Sequence, residues 1–486
     1  MPYKERERLQ QERGRLLLGI IAVRSSISPR MGKDKFTASD SNMKNDVESA
    51  SASTIEEDRA SASDIDDDTN YGIEMIWSPD WRVTWGYLKG LIKEVPTQKD
   101  RAGECCIYRV PNSLRDRNPE AFSPQLISIG PFHCDHERGQ SMKHIYLREF
   151  LKRNAMDDKL FTNFLRRIQK KEKSIRLCYS ASFFTYTQEF VEMIVLDAVF
   201  IIEFLKDSYD DAFPQTVDTR MISCIGEDLM LPENQLPFSV IDSIYSEFYQ
   251  DEQNITFLNL ATRHFGKYPF AQGPESTPPT DARHFTDLLM KLMLKGALKR
   301  DNCSKPPIKL KYSAVTLRKG GVKFQVSKDK CLFNVHFKNG VLKIPLLEVD
   351  DSLERFVRNV MAWEYCSKPS EAHMISNYFK FMDHLIDRAE DVALLAEEGI
   401  IKNWLGDDAA VSKLINNLSQ RSEKTCYYSD ICQTLNDYYE DPWNRRRATL
   451  ELVYFSNLWR GTATVAAAFL LILTLIQTIT SLKSSF

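Results

Sequence analysis

A chain of 486 residues has room for two or three average domains, or for one large helical domain with tails. Its 43% hydrophobic content and formal net charge of −3 describe an ordinary folded protein without the basic excess on which nucleic-acid binding draws. The ten cysteines (Cys105, Cys106, Cys134, Cys178, Cys224, Cys303, Cys331, Cys366, Cys426 and Cys432) are scattered through apolar segments with no C-x-x-C pair. That pattern speaks against a secreted disulfide scaffold and for reduced, buried thiols, the adjacent Cys105 and Cys106 included.

Residues 1–77 divide into a charged start with a short apolar run, Leu16 to Val23, and an acidic, Ser-rich stretch at 37–75. Three Glu residues interrupt the basic start and no small-residue cleavage site follows the apolar run, so a signal peptide is not expected. The acidic stretch has few aromatics and predicts a disordered tail. From Asp80 to Val95, apolar residues at Val83, Tyr87, Leu88, Leu91 and Ile92 have the spacing of one helical face.

The following stretch, 105–139, carries four prolines and two glycines and predicts short extended pieces and turns. Helical periodicity runs from Met142 to Lys171 and from Ser180 to Leu205; VEMIVLDAVFIIEFL, apolar nearly all round, predicts a central core helix. Further helices are expected over Glu233–Tyr249, after the LPENQLP turn, and over DARHFTDLLMKLMLKGAL, after a Pro-rich loop at 271–281. Between Tyr312 and Val349 the period switches to two. Phe333, Val335 and Phe337, then Asn339-Gly340, then Val341 to Ile344 predict a hairpin on a type I′ turn in a small antiparallel element. Helices return at Asp351–Cys366, at Met374–Glu397 with Gly399 as C-cap, and at Asp408–Leu418.

Gly461 to Leu482 hold no charged side chain, and 22 residues at about 1.5 Å each span about 33 Å, against a hydrocarbon core of about 30 Å. The segment predicts a single-pass membrane anchor marked by Trp459, Gly461, Phe469 and Leu482, with membrane lipid as its partner. Arg445, Arg446, Arg447 and Arg460 precede the span and Lys483 follows it, which predicts a cytosolic amino-terminal part and a tail-anchored protein in the plasma membrane or an endomembrane. In that orientation the sequons at Asn254, Asn302 and Asn417 are idle.

Read in order, CIYRVPNSLRDRNPEAFSPQLISIGPFH (106–133), MKHIYLREFL (142–151), VLDAVFIIEFL (195–205), LMLPENQLPFSVI (229–241), VKFQVSK, FKNGVLKIPLLEVDDSLERFVRNVMAWEYC (337–366) and YFKFMDHLIDRAEDVALLAEEGIIKNWLG (378–406) resemble the blocks of the plant family known as domain of unknown function 247. The resemblance covers the chain from about Cys105 to the carboxyl end. Met230-Leu231-Pro232 stands where a leucine-rich run is usual, and residues 1–77 have no counterpart. The resemblance implies a mostly helical, membrane-held plant protein with no established enzymatic activity and no cofactor. Some grass members are associated with pollen self-incompatibility, a role that residue matching does not carry to this chain.

His133, Cys134, Asp135 and His136 are the densest group of potential metal ligands, but no second pair of matching spacing accompanies them, so a turn with incidental polar groups is expected. Asp197, Glu203 and Glu233 are acids expected to be partly buried. Asp197 and Glu203 are six residues apart, on different helix faces, and the reading is ion pairs to arginines such as Arg109 or Arg115 and capping of a helix start by the ENQ segment. There is no G-x-x-x-x-G-K-[ST], H-E-x-x-H or G-x-S-x-G motif.

These readings give a mainly α protein: a disordered extension at 1–77, one large helical domain at 78–455 with a small antiparallel β-hairpin element, a transmembrane helix at 461–482 and a short tail. The expected function is recognition or signalling through another protein, without catalysis, catalytic residue, cofactor, metal, nucleic acid or small-molecule ligand. The rival is a membrane-bound enzyme, which predicts a concave pocket where Asp197, Glu203, Glu233 and the histidines converge. A third reading is a passive scaffold acting through the acidic tail.

Overall fold

A computed structural model describes residues 105–133, 139–181, 186–215, 217–249, 255–271, 277–298, 307–367, 373–419, 427–450 and 458–484. The 80–95 helix, the acidic stretch and Cys134 to His136 fall outside the described residues.

The described helices, in chain order, are α1 (Asn112–Arg115), α2 (Gln140–Arg153), α3 (Asp158–Leu177), α4 (Thr187–Asp210), α5 (Thr219–Leu229), α6 (Phe238–Phe248), α7 (Phe257–Phe265), α8 (Phe285–Met293), α9 (Ala314–Lys319), α10 (Leu353–Cys366), α11 (Met374–Leu385), α12 (Ala389–Glu397), α13 (Asp408–Ser419), α14 (Ser429–Glu440), α15 (Pro442–Thr449) and α16 (Leu458–Ser484). The strands are β1 (Lys323–Ser327), β2 (His336–Lys338), β3 (Val341–Pro345), β4 (Leu347–Val349) and β5 (Ile401–Asn403). The protein is mainly α, as its periodicity requires.

Helix α4 is the organising element. Its apolar residues leave no polar stripe, and α2, α3, α6 and α7 pack around it. Tyr146 of α2 meets Phe200 edge-on at 5.4 Å, while Phe150 and Phe164 both pack against Phe248 of α6. In the carboxyl-terminal half, α10 packs against α8 and α11, and α13 against α11 and α12. One contiguous apolar core runs through both halves, from Cys106 to Leu435.

The hairpin forms where Asn339-Gly340 places it. Both residues have positive φ, 52° and 78°, and β2 pairs antiparallel with β3 through Phe337 opposite Leu342. The surrounding element is mixed rather than purely antiparallel: β1 joins the other edge of β3 in parallel, and β4 pairs in parallel with β5. The period of two also starts later than the sequence reading placed it. Residues 314–319 form α9, with Ser313 ahead of it and Gly320 at its end, where an added Cβ would lie 2.2 Å from the Tyr439 ring.

Two expected long helices are each two. Between α2 and α3 the backbone turns at Ala155, whose φ is 46°, and Asp157 then caps α3 by accepting from the Leu160 N–H at 2.7 Å. Between α11 and α12 the chain is extended at Ile386, and Asp391 accepts from the N–H groups of Asp387 and Arg388, both at 3.1 Å. Gly399 ends α12 as expected: with φ 72°, it donates to Ala396 while Ile400 donates to Leu395, the paired bonds of a Schellman motif.

Candidate functional site

The segment 105–133 has little regular structure of its own, and its backbone is held by acidic and amide side chains arriving from elsewhere. Asp228, at the end of α5, is fully buried and accepts from three successive N–H groups, those of Gln125, Leu126 and Ile127, at 2.7–2.8 Å. Arg355 of α10 neutralises it at 2.7 Å. Glu233 accepts from the Val110 N–H and pairs with Arg115, both at 2.6 Å, while His133 approaches its second oxygen at 3.7 Å.

Asn234 and Gln235 complete the LPENQLP hub. The Asn234 carbonyl accepts from Ile129 N–H at 2.6 Å, and its amide donates to the Ile127 and Asp228 carbonyls. Gln235 donates to the Leu231 carbonyl at 2.8 Å and accepts from Phe285 N–H at 2.9 Å, so it caps α8, a helix 50 residues downstream, rather than α6 next to it. Arg115 is thus the arginine partner of Glu233; Arg109 instead lies over the Phe132 ring at 4.5 Å.

The other two buried acids of α4 belong to separate contacts. Asp197 accepts from Gly130 N–H at 2.7 Å and pairs with Lys143 of α2 at 2.5 Å. Glu203 pairs with Arg153 at 2.6 Å and accepts the Tyr249 hydroxyl. Each of the three carboxylates has its own set of donors, and no cavity described below includes any of them. Among the described residues, no group of three or more His, Cys, Asp or Glu is placed to hold a metal ion. Cys105, Cys106, Cys178, Cys224, Cys331, Cys366 and Cys432 are free thiols, and burial pushes the Cys432 thiol up to about 12.

A concave feature lies on the other side of α4. Helices α2 and α3 both pack on it and leave a trench of about 540 Å³ between them. Val191, Val195 and Leu196 form its floor, Leu147, Phe161 and Leu165 its walls, and His144, Thr162, Arg166, Gln169, Gln188 and Glu192 its lips. The sequence analysis did not find this trench. The buried positions on α3, Phe164, Ile168 and Ile175, are widely spaced, and Phe161 and Leu165 are only half covered.

Helix α16 contains Trp459, Gly461, Phe469 and Leu482. Its stretch Thr462–Lys483 is long and apolar enough to cross a membrane, and none of it is buried in the fold: Phe469 is 64% and Leu482 57% exposed.

A family model described as DUF247, a plant protein of unknown function, matches residues 107–473, three quarters of the chain and nearly every element above. The chain belongs to this family. Among curated relatives of this DUF247 chain, the UPF0481 protein At3g47200 of Arabidopsis thaliana is 28% identical over 445 residues, covering 82% of this chain and 91% of the relative. A second UPF0481 protein of the same plant, At3g02645, is 24% identical over 481 residues, covering 78% and 90%. No solved structure matches the chain. The DUF247 match begins at Ile107, where the hub-held segment begins, and runs into the apolar part of α16.

Proposed function

We propose that this DUF247 protein is a single-pass membrane protein that works by binding another protein and not by catalysis. The observation that carries the tether is α16, whose 22-residue stretch Thr462–Lys483 is long and apolar enough to cross a membrane and is not buried in the fold. Burying such a stretch in hydrocarbon releases apolar surface at about 25 cal/mol per Å², an energy the folded domain does not supply to it. The non-catalytic reading is supported by the use of the buried acids: Asp197, Glu203, Asp228 and Glu233 accept from backbone amides, hydroxyls or cations and serve as structural anchors. The three arginines of 445–447, just ahead of the span, support a cytosolic domain.

The test uses the full chain in sealed microsomes. Resistance to alkaline carbonate extraction, together with digestion of the domain by external protease and no glycan on Asn254, Asn302 or Asn417, is the expected result. Release by carbonate sinks the tether, and a protected, glycosylated domain reverses the orientation.

A further inference from the structure

We infer that the trench between α2 and α3 is a binding site for a small monoanionic amphiphile, an apolar ring or chain ended by a single carboxylate-type group. This goes beyond the tether and does not depend on it. The trench volume, about 540 Å³, falls within the range of about 300–1,000 Å³ typical of small-molecule sites. Its floor is three buried aliphatic side chains of α4, Val191, Val195 and Leu196, each less than 10% exposed. An apolar body laid against them and against Phe161 and Leu165 leaves water without exposing any polar group of the floor.

The head group is set by charge. Arg166 stands on the α3 lip, exposed and, among the described residues, without a carboxylate partner; it donates to the Asn163 side chain at 3.4 Å. Around it α3 carries seven basic residues against two acidic ones, Asp158 and Glu172, so the lip has a positive field. A guanidinium in that setting matches a planar, bidentate carboxylate. Glu192, the one acid among the lining residues, has no cationic partner among the described residues and repels a second negative charge, which limits the ligand to one anionic end. Gln169 and Gln188 add neutral hydrogen-bonding groups at the lips.

The experiment takes the full chain in nanodiscs of neutral lipid and titrates 4-phenylbutanoate against 4-phenylbutylammonium, which share a body and differ in the sign of the head. Amide hydrogen exchange in α2, α3 and α4 is the readout. Slower exchange in those helices with the carboxylate alone is expected. Arg166→Gln should weaken the effect about ten-fold, the cost of one charge-assisted pair. Thr162→Trp, which fills the mouth from an exposed position, should remove the effect without lowering the melting temperature. Equal protection by the ammonium compound, protection that survives both substitutions, or none with either compound overturns the proposal. So does protection that appears without added compound when anionic lipid replaces neutral lipid, which makes a lipid head group the occupant.

Discussion

Lys143 of α2 and Asp197 of α4 form an ion pair at 2.5 Å with both side chains no more than 2% exposed. The lysine also donates to the Ser128 carbonyl at 2.5 Å, and the aspartate accepts from Gly130 N–H, so a single charge pair joins two helices to the hub-held segment. Burying two charges is costly, and the attraction between them offsets that cost only while both remain. Lys143→Met should therefore lower unfolding stability by about 3–5 kcal/mol. Lys143→Met with Asp197→Asn should recover part of it, since the amide oxygen still accepts from Gly130. Urea unfolding of both variants checks this; equal stabilities would show that no charge is stranded.

Asn234 is fully buried and hydrogen-bonds three backbone groups. Replacing it with alanine strands the Ile129 N–H and leaves the Ile127 carbonyl without its amide donor, at about 1 kcal/mol or more each, while the Asp228 carbonyl keeps the Leu231 N–H. A loss of about 2 kcal/mol in thermal or urea unfolding is expected. A loss below about 0.5 kcal/mol, the scale of an ordinary surface substitution, would deny the hub its role.

Burial lowers His384 to about 4, and it holds two more histidines neutral, His284 down to about 4 and His264 to about 3. All three are ordinarily near 6.5, so between those values the unfolded chain binds more protons than the folded one, and stability falls as pH falls. Asp207, raised to about 6 by burial, acts in the opposite sense. The clean readout is therefore a difference. His284 caps α8 by accepting from Asp287 N–H at 3.3 Å, a role asparagine can keep. Across pH 6.5 to 4, His284→Asn should lose less stability than the parent protein, by up to about 1.4 kcal/mol per pH unit. Identical slopes would refute the assignment.

In the middle of α16, Ile472 is 56% exposed. Arginine there should disfavour membrane insertion by about 2.5–3.5 kcal/mol and move a measurable fraction of the protein into the carbonate-soluble pool. A variant that stays with the membrane pellet would mean that another element holds the protein there.

What the sequence revealed follows from how local each signal is. The all-round apolar run of α4, the Asn339-Gly340 turn and the Gly399 cap are written in a few adjacent residues, and each stands where it was expected. The break at Ala155 was not legible, because neither glycine nor proline marks it and the Asp157 cap lies inside an otherwise helical pattern. Asp218, Thr256 and Asp441-Pro442 signal the starts of α5, α7 and α15, which periodicity alone does not reveal, and no capping side chain marks α14. Glu233 and Asp197 stand out in the sequence and Asp228 does not; the partners of all three lie 67 to 123 residues away, and no periodicity encodes pairing at that range. The trench depends on how two helices sit on a third, which is a property of the assembled fold.

The hub reads backbone and not side chains, and this shapes how the 105–133 segment can change over time. The amide hydrogens claimed by the hub acceptors and Asp197 are those of Val110, Gln125, Leu126, Ile127, Ile129 and Gly130. As far as these bonds are concerned, proline is the one residue that those six positions cannot accept. This chain places prolines at 111, 124 and 131, each directly beside a claimed amide and never on one. Divergence can therefore rewrite much of the segment's chemistry while its path stays fixed, so long as the acceptors at 197, 228, 233 and 234 persist.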